Sequence, residues 1–388
     1  MNRTKATGTS GRERLLAAAI DQLANSYPSD TGVRKLARQA GVHHTFVAQS
    51  FGSLQDLLSL AYRQSFEEFR LSLDNSSWPD DRMLPGSDHA FWRLYGYRVL
   101  DGSNSPLLVG KGDCDPVALL AGKIRAARPK LSPDKCDLYA LAGWCIHLGS
   151  FLFANILARG LNVGRERKDE VMARVSEFVV TMCLSANFPL ASRQSAIRQL
   201  DTQSKTLDDE VTGSGEDQLV QAAIEILLEG RNQNISGREL AKNAGVNYGL
   251  IHHYFGSKQA VFDVAFKRLH TNYVNDMVDA DSQRLSEPFA LLAHSGFVNA
   301  WARRELSGIE TPNIPYTGMA KTLELLRSGM PVDEMDEIRL KSKAWCLVSL
   351  QLGFAICQHD ATRDNREKSL AGLRSIFDAQ VSNWRRQE

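Results

Sequence analysis

The sequence predicts an all-α protein made of two tandem copies of one helical unit. Residues 34–55 and 238–259 align with a shift of 204 positions and no gap, and 10 of the 22 aligned residues are identical. Two motifs of the helical body also return. Arg-x-Leu-x-Gly-x-x-x-Pro occurs at 98–106 and 304–312, and a Trp-Cys pair stands nine residues before Phe-Ala at 144–154 and 345–355. An internal repeat of this length indicates the architecture more directly than the pattern of any single helix does.

The first predicted helix of each copy is amphipathic. Apolar residues at i, i+1, i+4, i+5 and i+8 form a stripe that faces a core. The stripe consists of Leu15, Leu16, Ala19, Ile20 and Leu23 in the first copy, matched by Leu219, Ala223, Ile224 and Leu227 in the second.

A short second helix with a Leu-Ala pair leads into an Ala-Gly-Val turn at 40–42 and at 244–246. Ser236 and Glu239 stand three residues apart, which is the capping-box signature of a helix start. Glycine at the turn adopts backbone angles that a residue with a Cβ resists. A third helix then runs to a Phe-Gly pair. Two short helices joined by such a turn and braced by another helix predict a helix-turn-helix.

This pattern resembles the DNA-binding domain of the tetracycline-repressor (TetR) family of bacterial transcriptional regulators. The resemblance rests on LAxxAGV, on the aromatic residue near the end of the third helix, and on FGSK at the start of the next helix. The second copy keeps all of these. The resemblance implies that the third helix is a recognition helix, which enters a DNA major groove with its N-terminal side chains at base edges. The alternative is a helical hairpin in an all-α core that needs no DNA.

Base contacts are expected from the start of each recognition helix. Asn can pair bidentately with adenine, and Thr can contact a thymine methyl group. The resemblance further implies phosphate contacts from Lys258 and Tyr254. The candidate DNA-binding residues are Arg34, His43, His44, Thr45, Phe46 and Gln49 in the first copy, and Arg238, Asn247, Tyr248, Gly249, Leu250, His252, His253, Tyr254 and Lys258 in the second.

The first copy departs from the pattern at its phosphate-contacting positions, and this loss should weaken its binding. It has Ala48, Gln49, Ser50 and Leu54 where the second copy has His252, His253, Tyr254 and Lys258. It retains a basic arm with Arg3, Lys5, Arg12 and Arg14. We expect it to contact DNA; the alternative is that it serves as a structural half that mimics a dimer partner.

Composition sets the protein class. The chain has 388 residues, 43% of them hydrophobic and 23% charged, which is typical of a soluble globular protein. The net charge is only +1, so a DNA footprint must come from local clustering of charge. The six cysteines show no CxxC pair and no zinc spacing, which predicts reduced thiols without a metal or cofactor. The polar segment 1–10 has no secretory signal, which indicates a cytoplasmic protein.

Residues 138–157 form a run of twenty residues without a formal charge, which is long enough to span a bilayer. His147 and Asn155 lie inside the run, and glycines interrupt it. Its counterpart around 345–356 is shorter and carries Gln351. The pattern therefore favours a helix buried on all sides of a bundle, with no membrane partner.

The predicted domain order follows the repeat. A polar linker joins the halves and reaches about 30 Å as a flexible coil, enough for the halves to lie side by side. The domains are a helix-turn-helix domain at 1–54, a helical regulatory body at 55–186, the linker at 187–216, a second helix-turn-helix domain at 217–260 and a second body at 261–388.

Family members are usually homodimers, and a tandem chain can satisfy the same geometry by itself. The helix at 139–157 would pack against its equivalent at 343–358. Because the recognition helices differ, such a single-chain pseudo-dimer would bind an asymmetric operator. The sequence leaves open a homodimer that pairs through its second copies.

The resemblance also implies a small-molecule effector that shifts the equilibrium between DNA-competent and incompetent states. Aromatic side chains of the bodies are candidates for its pocket, although aromatics at helical spacing are more often ordinary core. The candidates are Phe91, Trp92, Tyr95, Trp144, Phe297, Trp301 and Trp345.

No catalytic signature is found, since the chain has no phosphate-binding loop, dinucleotide fingerprint, H-E-x-x-H or G-x-S-x-G motif. Adjacent histidines on a helix point about 100° apart, whereas helical metal ligands prefer i, i+4. The sequence therefore predicts no enzyme, and the resemblance implies a transcriptional repressor released by an effector. The alternative is a ligand-sensing or protein-interaction protein whose helix-turn-helix units are structural.

Overall fold

The computed structural model describes residues 10–26, 31–75, 89–101, 115–184, 214–229, 235–279, 289–308, 317–327, 336–358 and 363–386. Within these ranges the structure is helical and contains no strand, which confirms the predicted all-α class there. The chain divides into two compact units, Met1–Asp115 and Pro116–Glu388, which are described separately below. The basic arm up to residue 9, Cys114 and residues 187–213 of the predicted linker lie outside the described residues.

The described residues of the first unit form five helices, and those of the second form twelve, together with the short 3-10 segments Arg165–Arg167 and Ala290–His294. The helices of the first unit are α1 Gly11–Asn25, α2 Val33–Gln39, α3 Thr45–Phe51, α4 Leu54–Asn75 and α5 His89–Asp101. Those of the second are α6 Pro116–Ala127, α7 Pro133–Leu152, α8 Ala154–Gly160, α9 Lys168–Leu184, α10 Gly215–Leu228, α11 Gly237–Asn243, α12 Gly249–Phe255, α13 Lys258–Asp279, α14 Ser295–Leu306, α15 Thr317–Arg327, α16 Glu337–Cys357 and α17 Arg363–Arg386.

Helices α1–α4, here called the first module, form a small core with α3 near its surface. Ser10 caps α1: its Oγ accepts a hydrogen bond from the Glu13 N–H, and Glu13 Oε2 accepts one from the Ser10 N–H. Leu15 of the predicted stripe is fully buried, as are Ala19 and Leu23. Gly41 has a φ of +64°, the left-handed conformation predicted for the turn.

Helices α10–α13, the second module, repeat this geometry. Helices α11, α12 and α13 have the bounds of α2, α3 and α4 shifted by 204, and α10 begins where that shift places α1. Gly245 has a φ of +66°. The predicted cap at Ser236 is present, since its Oγ accepts from the Glu239 N–H at 3.1 Å. Both modules therefore build the same turn between their two short helices.

The first helix of each module starts with a glycine against the third helix. A Cβ at Gly11 would lie 2.9 Å from Phe46 Cε1, and one at Gly215 would lie 2.8 Å from Leu250 Cδ1. Contacts this short leave no room for a larger residue unless the opposing side chain moves. The glycine thus lets the partly buried third helix lie close to the start of the first.

A single arginine joins each module to the next helix of its unit. In the first unit, Arg98 of α5 lies over the Tyr62 ring of α4 at 5.2 Å. In the second unit, Arg304 of α14 lies over the Phe266 ring of α13 at 4.7 Å and pairs with Asp263 at 2.8 Å. Each contact is a cation–π arrangement between the body and the long helix that leaves the module.

In the second unit, α7 and α16 cross as antiparallel helices at very short distance. A Cβ added at Gly149 of α7 would overlap the Ser349 carbonyl oxygen, and one added at Gly353 of α16 would overlap that of Cys145. A shift of 204 turns one contact into the other, because it maps Gly149 onto Gly353 and Cys145 onto Ser349. The repeated Trp-Cys motif has a spacing of 201 instead, so it does not mark structurally equivalent positions.

Polar groups complete the contact between α7 and α16. Ser150 Oγ donates to Ser349 Oγ at 3.0 Å and accepts from the Trp345 indole N–H at 3.1 Å. Both serines are fully buried. Buried hydroxyl and indole groups are tolerated when they are hydrogen-bonded, and such bonds fix one register between two helices.

The expectation of one continuous helix over 139–157 was wrong. Helix α7 ends at Leu152, α8 begins at Ala154, and the two are bent by 81°. Phe153, at the break, is fully buried with its ring 5.5 Å from that of Trp301. Among the described residues no single helix is long and apolar enough to cross a membrane; only the bent pair α7–α8 has the length and composition to do so when taken together.

Burial also sets the chemistry of two groups on α7 and α9. It lowers the pKa of His147 to about 4, so this ring is neutral at pH 7. It raises the pKa of the Cys183 thiol to about 12. The five cysteines in the described residues are free thiols, as the sequence predicted. A buried thiol with a raised pKa carries little of the reactive thiolate.

Candidate nucleic-acid interface

Helix α12 is the predicted recognition helix of the second module, and most of its side chains face outward. Ile251 is buried and Leu250 is half-buried, so these two anchor the helix to the module. The other candidates of the second copy apart from Lys258 are exposed, with Tyr248 and Tyr254 exposed by 41% and 44%. Large aromatic rings left in solvent are what a surface that meets a partner requires. The exposed candidates here are Arg238, Asn247, Tyr248, Gly249, His252, His253 and Tyr254.

Asn247 forms a side-chain turn just before α12. Its Oδ1 accepts a hydrogen bond from the Gly249 N–H at 2.8 Å, as Asn residues do in turns. The predicted bidentate contact with adenine uses this same oxygen. One of its lone pairs is therefore already engaged, while the amide Nδ2 remains a donor for a base acceptor.

Three polar groups line up along α12 at a spacing of four residues. Tyr248 Oη lies 3.0 Å from His252 Nε2, and His252 Nδ1 lies 3.1 Å from the Gly256 carbonyl oxygen. The two rings meet edge-on, with centroids 5.2 Å apart. Tyr248 and His252 are thus held by each other instead of projecting independently.

Lys258 begins α13 and is half-buried. Its Nζ donates to the Ile235 carbonyl oxygen at 2.9 Å and so ties the start of α13 to the segment before α11. The predicted phosphate contact would have to use the other donors of this ammonium group. Lys258 therefore has a structural role that its sequence position alone did not reveal.

In the first module the candidate side chains have similar placements and different chemistry. Val47 of α3 is buried and Phe46 is half-buried, whereas Arg34, His43, His44, Thr45 and Gln49 are exposed. His43 Nδ1 lies 2.8 Å from Thr45 Oγ1, and the His43 and His44 rings are 4.2 Å apart. Position 48 is an exposed alanine, so the first module has no counterpart of the Tyr248–His252 pair.

The two modules also differ in charge. The first module, which lacks the phosphate-contacting residues of the motif, is the more positively charged one. Residues 10–54 contain five Lys or Arg and three Asp or Glu, whereas the equivalent residues 214–258 contain four and five. Arg12, Lys35 and Arg38 of the first module are exposed. Non-specific attraction to DNA phosphates depends on such cations. The first module thus has the more positive charge balance of the two.

The seven aromatic residues proposed for an effector pocket all lie in the packed core of their own units. Phe91 stacks on Phe69 with centroids 4.2 Å apart, and Trp345 forms part of the α7–α16 contact. These packing and hydrogen-bond contacts are of the kind that hold a core together. None of the seven is more than 7% exposed: Phe91, Trp92, Tyr95, Trp144, Phe297, Trp301 and Trp345. Their role at a ligand site stays a prediction.

In the described part of the chain, no group of His, Cys, Asp and Glu has an arrangement suited to a metal ion.

Comparison with known proteins supports the second module as a DNA-binding domain. Residues 219–265, which run from α10 into α13, match the family described as "Bacterial regulatory proteins, tetR family". No curated protein matches the chain. The matched segment contains the turn at Gly245 and the whole of α12. This match makes the second module similar to that family and supports a DNA-binding transcription regulator.

Proposed function

We propose that the protein is a cytoplasmic transcriptional repressor that binds an asymmetric operator as a single-chain pseudo-dimer and is released by a small-molecule effector. In this proposal residues 1–54 and 217–260 bind DNA, 55–186 and 261–388 are regulatory bodies, and 187–216 links the halves. The proposal is supported by the match of the second module and by the common helix bounds of the two modules.

The observation that carries the pseudo-dimer is the reciprocal glycine contact between α7 and α16. In a twofold homodimer the same patch on both subunits meets itself, so residue i contacts j and j contacts i. The 204-residue shift relates the Gly149–Ser349 and Gly353–Cys145 contacts in this way. The contact is also completed by buried hydrogen bonds. One chain thus supplies both halves of an interface that would otherwise need two chains.

The asymmetric operator follows from the unlike surfaces of α3 and α12. The second module presents Asn247 and the Tyr248–His252 pair, while the first presents His43, His44 and Thr45. Base edges in the major groove are distinguished by hydrogen-bond donors, acceptors and the thymine methyl group. Two different sets of side chains therefore select two different half-sites, expected about 34–36 Å apart.

The test is selection of bound sequences from a random duplex library, with matched variants in the two modules. Asn247→Ala/Tyr248→Ala changes only exposed residues of the second module, and His43→Ala/His44→Ala does the same in the first. We expect wild type to select two unlike half-sites and each variant to lose one of them. The complex should contain one 43.1 kDa chain per duplex when its mass is measured.

Two results would contradict the proposal. Selection of two identical half-sites with two chains per duplex would indicate a homodimer that binds through its second modules. Absence of any selected sequence at low salt would favour a sensor or interaction protein with structural helix-turn-helix units. Because phosphate contacts weaken with salt, both selections need the same salt concentration.

A further inference from the structure

The hydrogen bonds of α12 determine where the Tyr248 proton points. In the neutral form of imidazole one ring nitrogen carries a proton and the other accepts a hydrogen bond. Because the Gly256 carbonyl can only accept, the protonated nitrogen in that form of His252 is Nδ1, 3.1 Å away. Nε2 of the same ring is then an acceptor. At 3.0 Å it takes the proton of the Tyr248 hydroxyl.

A phenol hydroxyl has one proton and can also accept hydrogen bonds through its oxygen. With the proton directed to His252, the exposed side of Tyr248 Oη offers acceptor capacity only. Phosphate oxygens are acceptors and give such a group no partner. In the major groove the hydrogen-bond donors are the exocyclic amino groups of adenine N6 and cytosine N4.

We infer that His252 is a positioning residue that makes Tyr248 an obligate acceptor, so that the second module selects adenine or cytosine at one base position. This rests on the proposed function and adds the chemical rule by which one half-site is read. It also changes the role of His252, which the sequence placed among the DNA contacts. In this inference His252 acts through Tyr248.

Of the two modules, only the second has the residues for the Tyr248–His252 hydrogen bond. At the equivalent positions the first module has His44 and Ala48, and a methyl group cannot accept a proton. Its His43 is engaged with Thr45 instead. The half-site of the first module therefore serves as an internal control in every selection made with the intact chain.

The experiment is a double-mutant cycle read out by sequence selection with wild type, Tyr248→Phe, His252→Phe and the double variant. Phenylalanine keeps an aromatic ring at each position and removes the hydrogen-bonding groups, with a larger ring at position 252. Wild type should prefer adenine or cytosine over guanine or thymine at one position by about tenfold, a size typical of one direct base contact. Each single variant should reduce this preference to about twofold or less, and the double variant should match the single ones.

Different failures have different signatures. If His252→Phe weakens binding to all sequences and keeps the preference, His252 contacts the DNA backbone itself and the inference is wrong. A preference for guanine or thymine at the Tyr248-dependent position, or a Tyr248→Phe selection identical to wild type, also overturns it. Failure of wild type to select any second half-site overturns the proposed function, and this inference with it. Because both residues are exposed, an unchanged thermal unfolding curve should show that the variants fold.

Discussion

Single glycines decide how closely the two central helices of the second unit approach. Gly149→Ala would place a methyl group into the backbone of α16, where no side-chain rotation can relieve the overlap. The helices would have to separate and weaken the buried Ser150 bonds. We expect the free energy of unfolding to fall by about 1–3 kcal/mol, the usual cost of overpacking. Urea denaturation would show this as a lower midpoint at an unchanged slope.

Gly122→Ala is the matched control, because Gly122 lies in α6, is exposed, and has no atom within 4 Å of an added Cβ. Alanine there should be neutral or stabilising by up to about 1 kcal/mol, since it restricts the unfolded chain and favours a helix. Equal losses in both variants would mean that the close approach of α7 and α16 contributes little to stability.

At this scale the sequence predicted turns better than contacts. The glycines of the Ala-Gly-Val turns were predicted from local pattern, because a left-handed conformation is a property of the residue itself. Gly149 was interpreted only as an interruption of an apolar run. Its role depends on Ser349, two hundred residues away, which no local pattern reveals. The Tyr248–His252 pair was missed although its i, i+4 spacing on a helix was visible in the sequence.

Between elements, a buried arginine of α14 contacts the long helix α13. The Arg304 side chain is 5% exposed, pairs with Asp263 and lies over the Phe266 ring. Lysine keeps the charge but not the planar group that stacks and pairs together. We expect Arg304→Lys to lower the free energy of unfolding by about 1–2 kcal/mol, the scale of a desolvated cation–π contact.

Arg268→Lys, in helix α13, is the control for Arg304→Lys. Arg268 pairs with Asp217 at 3.1 Å, but both side chains are more than 40% exposed. Exposed pairs contribute little, so its loss should stay within about 0.5 kcal/mol. If thermal unfolding shows a similar loss of stability in both variants, the buried position of Arg304 over Phe266 does not make its contact more stabilising than an exposed ion pair.

The sequence predicted that these segments form helices, but it did not predict where α7 ends. Amphipathic stripes and the Ser236 cap predicted helices that the structure contains, because they are local signals. The break at Phe153 has no such signal, since neither proline nor glycine occupies it. The chain turns where Phe153 is buried against Trp301. That contact is tertiary and overrides a sequence pattern that favours one long helix.

For the whole molecule, the repeat is the feature that the sequence reveals most directly, because the 204-residue shift reappears in the helix bounds. The sequence reveals less about how the helices of the repeat pack together. The first compact unit ends at Asp115, inside the first predicted body. Helices α7 and α9 of that body belong to the second unit with α16, because their apolar surfaces are buried there. Sequence order alone does not predict which helices share a core.

The repeat also permits a decisive exchange between modules. Replacing residues 247–254 with residues 43–50 would give both modules the surface of α3. The graft should fold, because Phe46 would lie against Gly215 as it now lies against Gly11, and Val47 would replace the buried Ile251. Since the remaining framework would be unchanged, sequence selection should yield two copies of the first module's half-site and none of the second.

The reverse graft, residues 247–254 placed at 43–50, should yield two copies of the other half-site. It also moves Tyr248 and His252 together, so the preference for adenine or cytosine should appear in both halves if the pair acts as a unit. Chain mass per duplex should stay that of one protein, because neither graft touches α7 or α16. If both grafts continue to select the wild-type asymmetric site, the two helices do not determine the operator, and asymmetry must come from other parts of the chain.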